Sequence, residues 1–560
     1  MLFLAVVLAT TIPEAYTFAL SPLLLPRSRV AHSSSSSNAA APTAEAAGNA
    51  KKHAVAHRPR SILRAAGGEP GDSSASSAGG VWNDMEVLVE IKGGIKSIPK
   101  DEWDALLRPD ESPFLEHDWI YAMEESECAT IDTGWQPQHL VVRRSKGSSG
   151  IMAVVPLYVK YHSMGEFIFD QSWADASQQA GLPYYPKLLV GVPFTPAAGA
   201  RVLIDPALDA ETRRRVRKTV AMFLRKLALD NNLSSVHVNF CTEDEVEAFT
   251  SAGFLHRKGL QYHWRNRDRN ENNNNGRGVV NGADAKGVAS ESVAFLEGGE
   301  GSGGGEENGG QTKKELKYGD FDGYLGNFAS KRRIKIRRER RSVYEDAEVS
   351  VTAYQGDNIT DDMLDTAFSI YKSTIDKMMY GRLYLNSGFF KQLARRFKRN
   401  IVLILAQRDG KVIAGTFNVV KAGRFYGRYW GAFETVKNLH FEACYYKAIE
   451  FCIENDLDVM EPGAGGGDFK FLRGFDPAIV NSCHFCTHPG LRGAVDNFLN
   501  EERRSIDEAE EYLIGRSALA DRTKPSGNGA NTNNSDNGKN AVASETAAVR
   551  SRGNDTAAAV

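Results

Sequence analysis

His440, Glu442 and Tyr446 stand at the start of a helical stretch, Phe441 to Asn455, and Glu434 and Glu461 close the strand-like runs on either side of it. The spacing of four from Glu442 to Tyr446 puts those two on one helix face, with His440 just ahead of the first turn. Carboxylates and an imidazole gathered beyond the carboxyl ends of strands are the groups that general acid–base chemistry uses, in the place where α/β sheets bind ligands. Glu461 also opens the run Pro462-Gly463-Ala464-Gly465-Gly466-Gly467, followed by Asp468 as an expected N-cap and a short helix carrying Lys470 and Arg473 and closed by Gly474. Such a loop can turn backbone N–H groups toward an anion or a carbonyl oxygen, with the two cations adding charge. Residue types alone leave the alternatives open, a capping histidine and an ordinary turn.

In the first half Asp170, Trp173, Asp175, Tyr184, Tyr185 and Lys187 form a polar and aromatic cluster in sequence, suited to a substrate platform or to a buried network. Lys331 to Arg341 holds eight basic residues and one acid. That is a solvated helix face, a contact for tRNA or another phosphate-bearing donor, or a contact for an acidic surface of the protein itself. Cys483 and Cys486 form a CxxC followed by His488, but no second ligand pair stands at matching spacing, so a half-buried strand is expected there and no metal is assigned.

The elements that must position these residues are legible from periodicity. Met85 to Ile91, His139 to Arg143, Gly150 to Lys160 and Ser235 to Phe240 read as strands, and Asp101 to Leu107, His117 to Glu127 and Arg213 to Asn231 as helices. Ile401 to Gln407 and Val412 to Val420 flank an Asp409-Gly410 turn signal and predict a hairpin. Arg424 to Phe433 reads as an aromatic strand and Leu457 to Met460 as a short buried one. The alternation predicts an α/β or α+β fold.

With 42% apolar and 25% charged residues and a net charge of -2, the chain has the composition of ordinary soluble protein, not of a nucleic-acid coat. Six scattered cysteines point to a reducing compartment. Leu2 to Ile12 is apolar and too short to span a bilayer, the length of a signal-peptide core; Phe18 to about Ala66 is rich in Ser, Ala and Arg with one acid, Glu45. A signal peptide over 1–17 and a transit peptide with linker over 18–80 are therefore expected. The leader resembles bipartite algal plastid targeting, with secretion or mitochondrial import as alternatives, and no stable membrane insertion of the mature protein is expected. The Asn/Gly-rich 267–314 and the tail 516–560 lack the apolar content to fold, which leaves one domain over 81–266 and another over 315–515.

Several low-frequency segments occur in one order: Phe169-Asp170-Gln171-Ser172-Trp173-Ala174-Asp175-Ala176, Tyr184-Tyr185-Pro186-Lys187-Leu188-Leu189, Val192-Pro193-Phe194-Thr195-Pro196, Tyr426-Gly427-Arg428-Tyr429-Trp430-Gly431, His440-Phe441-Glu442-Ala443-Cys444-Tyr445-Tyr446 and Arg473-Gly474-Phe475. In these the chain resembles the FemAB-like branch of the GNAT acyltransferases. The resemblance implies two tandem GNAT-like domains and transfer of an acyl or aminoacyl group to an amine of a small molecule or peptide. For that chemistry, residue type and position give His440, Glu442, Glu461 and Glu434 as candidate catalytic groups, with Tyr446, Arg428, Lys470, Arg473, Trp173, Asp175 and Lys187 as candidate substrate contacts. The chain departs from the pattern at Gly463 to Asp468, and Glu434 to His440 lacks the glycines of a pyrophosphate loop. No cofactor is assigned, acyl-CoA and aminoacyl-tRNA both stand as possible donors, and an RNA-binding or regulatory protein on a degenerate scaffold is the alternative.

Overall fold

Short runs of β-branched and aromatic residues between turn signals fold here into two sheets. The computed structural model of the chain describes residues 76–82, 85–144, 150–268, 316–345, 347–377, 381–465 and 467–519. The expected signal peptide and nearly all of the transit peptide, insertion and tail lie outside them.

The first half supplies β1 (Ser76–Trp82), β2 (Met85–Lys92), α1 (Lys100–Asp104), α2 (His117–Glu125), β3 (Trp135–Pro137), β4 (His139–Arg144), β5 (Ile151–Val155) and β6 (Leu157–Lys160). It continues with α3 (Gln171–Gln179), β7 (Lys187–Val190), β8 (Leu203–Ile204), α4 (Ala210–Asp230), β9 (Ser235–Cys241), α5 (Glu243–Ser251) and β10 (Leu255–Arg265). The second half supplies α6 (Phe321–Gly326), α7 (Ser330–Tyr344), β11 (Ser350–Gln355), α8 (Asp361–Ile375), α9 (Ser387–Arg396), β12 (Ile401–Arg408), β13 (Lys411–Lys421) and β14 (Arg424–Ala432). It ends with α10 (Leu439–Phe441), a π-helical turn (Glu442–Tyr446), α11 (Lys447–Glu454), β15 (Val459–Glu461), α12 (Gly467–Phe471), β16 (Asp476–Cys486) and α13 (Pro489–Ile514).

The fold is mixed α/β, with a large mixed sheet and a smaller antiparallel one flanked by helices. One sheet has the order β1-β2-β4-β5-β8; the other has eleven strands, β11-β12-β13-β14-β15-β10-β16-β9-β7-β6-β3. Pro156 divides the strand expected over 150–160, because it can give no ladder N–H: β5 enters the small sheet and β6 the large one. Asp409 and Gly410 take φ of 49° and 74°, the left-handed pair that a two-residue hairpin turn requires, and join β12 to β13 as expected.

One unit occurs twice. β7 leads through α4 to the parallel β9, and β14 leads through α10 and α11 to the parallel β15. In each case a short helix and an antiparallel strand follow, β10 after β9 and β16 after β15. Those last strands are exchanged: β10 of the first half pairs with β15, and β16 of the second half pairs with β9. The halves therefore share a single hydrogen-bonded sheet, and side chains of both meet at its middle. On the second half α8 lies so close to β14 that a Cβ on Gly431 would stand 1.9 Å from the Ile370 carbonyl oxygen, so only glycine fits there.

Candidate active site

β14 and β15 pair only from Arg424 opposite Val459 to Tyr426 opposite Glu461. Beyond that point β14 runs on to Ala432 while the other strand leaves through Pro462, which packs against Gly427. The register against β13 passes from Gly427–Asn418 to Tyr429–Phe417, which makes Arg428 the extra residue of a β-bulge. Arg428 and its neighbour Tyr429 are both buried. The parting of two parallel strands thus opens a gap walled by backbone, with buried polar side chains at its foot.

Glu461 closes β15 and is 5% exposed. One carboxylate oxygen accepts from Arg424 Nη1 at 2.9 Å, and His263 Nε2, brought in on the exchanged β10, lies 4.0 Å from the other. Burial raises the Glu461 carboxyl to about 7 against the pull of Arg424. Burial, reinforced by Arg424, Arg265 and Lys470, lowers His263 to about 3, so its imidazole is neutral at physiological pH. Lys470, in α12, is 3% exposed, donates to the Gly463 carbonyl at 2.6 Å, and is lowered by burial to about 7. A carboxylate and an amine with ordinary values six units apart therefore titrate together near neutrality, which suits one to accept a proton and the other to donate to a developing oxyanion. Arg428 donates from Nη2 to the Phe194 carbonyl and leaves Nε without a partner, tying this gap to the first half.

The other sequence-derived candidates fall elsewhere. His440 sits among Trp430, Phe441, Tyr445 and Phe469, and burial, with Arg473 and Lys470, lowers it to about 4, which makes it a weak base. Glu442 is fully buried and already taken: Arg340 Nη2 lies 3.0 Å away and the Tyr344 hydroxyl donates at 2.8 Å. Tyr446 donates to Glu339, and Arg473 bridges the same pair from Nε at 2.8 Å and Nη2 at 2.9 Å while stacking 3.6 Å over Phe441. These three clamp α7 to the π-turn. Glu434 lies on the surface in an ion pair with Arg408 at 2.9 Å, because β14 ends before it and the chain turns outward. Asp468 lies inside α12 rather than capping it. His488 instead caps α13, accepting from the Leu491 N–H; Cys483 and Cys486 are buried thiols in β16. Among the described residues no three His, Cys, Asp or Glu side chains converge on a metal site, and no helix is long and apolar enough to cross a membrane.

In the first half Lys187 is fully buried, donating to Asp170 Oδ2, to Glu166 Oε2 at 3.0 Å and to Ser163 Oγ at 2.8 Å. Trp173 is buried with its ring perpendicular to that of His484, and Asp175 is exposed on α3, where Oδ1 accepts from Gln171 Nε2 at 3.0 Å. A cleft of about 540 Å³ opens over this network between the loop 162–171 and the second half, and includes Phe194 and Tyr429 in its lining. Sequence reasoning missed His263, Arg424, Glu166 and Ser163. A signal existed for the lysines, since Lys160 ends and Lys187 opens a strand that is otherwise apolar or aromatic; none existed for His263, which reaches Glu461 only through strand exchange.

With this geometry in place, the chain matches the FemAB-like family, described as peptidoglycan biosynthesis/recognition, over residues 94–275 and 310–519. It belongs to the FemAB-like family. No curated protein matches this FemAB-like chain significantly. Among solved structures, the crystal structure of FemX is similar at 11% identity and a TM-score of 0.40, covering 71% of this chain and 98% of that one. L-PGS from Bacillus licheniformis is similar at 7% identity and a TM-score of 0.35, covering 71% and 98%. A tandem GNAT protein from the clavulanic acid biosynthesis pathway is similar at 10% identity and a TM-score of 0.36, covering 72% and 99%. Likenesses at such identities and scores say nothing of the FemAB-like chain's substrates.

Proposed function

We propose that the protein is an N-acyltransferase: it moves an acyl or aminoacyl group from an activated donor to an amine of a small molecule or peptide, at the parting of β14 and β15. The observation that carries this reading is the burial of Glu461 at the end of β15 and of Lys470 on the Gly463 carbonyl just beyond it, both brought near neutrality. Transfer to nitrogen needs a proton acceptor for the amine and a donor for the carbonyl oxygen as it becomes negative, and these two groups supply both. Incubation of the purified chain with acyl-CoA or aminoacyl-tRNA and a mixture of amines, followed by mass spectrometry, tests it. An N-acylated amine formed only with active protein is expected; its absence with both donor classes overturns the reading.

An aminoacyl-tRNA donor draws support from α7, whose outward face carries Lys331, Lys335, Arg337, Arg338 and Arg341. The same face is what favours the second reading, an RNA-binding or regulatory protein without turnover. RNA binding that weakens steeply with salt, in protein that transfers nothing, selects that reading.

Delivery to a plastid is proposed on the acid-poor composition of 18–66. Residues 1–80 fused to a fluorescent protein are expected to enter plastids, and Phe18→Lys to hold the fusion outside; secreted or mitochondrial fluorescence from the intact leader points to those compartments instead.

A further inference from the structure

The cleft between the loop 162–171 and the second half stands apart from the gap: neither Glu461, Lys470 nor Arg424 lines it. Its volume of about 540 Å³ lies in the range of pockets that enclose small molecules. Both halves build its walls. Phe194 stacks on Tyr384 with centroids 5.0 Å apart, Tyr371 tilts against Tyr429 at 4.7 Å, and Ile168 and Ile375 add aliphatic surface. Apolar surface is also left open at the margin: Phe169, in the lining, is 43% exposed, and Leu383, between the lining residues Arg382 and Tyr384, is 45% exposed. An apolar body lying among these side chains would take them out of water.

The charges select the end group of such a body. Among the described residues the lining holds two charged side chains, Asp170 and Arg382. The Asp170 carboxylate is 1% exposed and already held by the Lys187 ammonium, so that pair offers an occupant no net charge. Burial brings Glu166 up to about 7 and Lys160 down to about 6, so neither adds a full charge at neutral pH. Arg382 differs, because it is exposed and acts on two other groups of the lining. Burial lowers the His162 imidazole, with Lys160 and Arg382 adding to the effect, and burial raises the Tyr384 hydroxyl against the pull of Arg382. The cleft is thus apolar and aromatic with one positive end. An ammonium is repelled there, and a phosphate dianion finds a single cation. A carboxylate matches the two-pronged guanidinium with its own two oxygens.

We propose that this cleft binds a monocarboxylate carried on an apolar body, the carboxylate on Arg382 at the margin and the body among the rings of the two halves. The inference goes beyond the transfer reading and does not rest on it.

Isothermal titration of the full chain with 3-phenylpropionate and octanoate, against the matching amides and phenethylamine, tests it. Saturable binding of at least one carboxylate is expected, with its amide and the amine weaker by about three- to tenfold, the scale of a guanidinium–carboxylate pair open to solvent on one side. Added salt should weaken the carboxylate and leave the amide unchanged. Arg382→Gln, a surface change that leaves the rings in place, is expected to remove the preference for carboxylate over amide. Ile375→Trp, which fills the cleft from the end of α8, is expected to abolish binding of both, with the fold checked by circular dichroism. No saturation by either carboxylate, an amide or amine that binds as tightly as the acid, or binding unchanged by either variant would overturn the proposal.

Discussion

Glu461→Gln is expected to lower the rate of N-acyl transfer by about 10² to 10⁴ while leaving the protein folded, the usual cost of losing a general base. The pH profile makes the expectation specific. Glu461 is raised by burial to about 7, so it gains the power to accept a proton as pH rises through 7; Lys470 is lowered by burial to about 7, so its ammonium, the form that stabilises an oxyanion, is lost over the same range. The wild-type profile should be a bell centred near neutrality. Glu461→Gln should remove the rising limb. Lys470→Arg, which keeps its charge at every accessible pH, should remove the falling limb and retain part of the rate. A profile flat from pH 6 to 8, or one that both variants leave unchanged, would place the proton transfers elsewhere, and a thermal melt separates that outcome from misfolding.

Much of the second half was legible because its signals are local. The hairpin follows from Asp409-Gly410 between two apolar runs, and β14, α11 and β15 follow from periodicity. Glu461 and Lys470 were also within reach, since they sit at the end of a buried strand and inside the helix after a glycine run. What could not be read was partnership. Glu442 and Tyr446 look free in sequence, but Arg340 and Glu339 on α7, about a hundred residues earlier, occupy them. His440 looked like a base, and its ring neighbours make it a poor one. The exchange of β10 and β16 is the largest gap between sequence and fold: no local pattern announces it, yet it sets His263 against Glu461 and fuses the halves into one sheet.

Lys187→Met should destabilise the protein by about 3–5 kcal/mol at neutral pH, because it leaves Asp170 and Glu166 buried without their cation. Burial alone would raise the Asp170 carboxyl, but Lys187 and His237 override it and hold the carboxyl well below the usual range. In the wild type, then, Asp170 contributes stability that is present above its unfolded value of about 4 and is lost as pH falls below it. Glu166 behaves oppositely. Burial raises it to about 7, so its favourable contribution is present below its unfolded value of about 4 and is lost as pH rises through 7. Without Lys187 both carboxyls take the second behaviour: each is tolerated protonated and resisted when charged. The deficit of Lys187→Met should accordingly be greatest at pH 7.5 and shrink toward pH 4, read from urea midpoints at the two pH values. Pairing Asp170→Asn with Lys187→Met should cost less than the two single changes added together, since each removes the charge the other strands. A deficit that stays constant with pH, or single costs that simply add, would mean that Lys187 stabilises the strand through packing of its methylenes rather than through its charge.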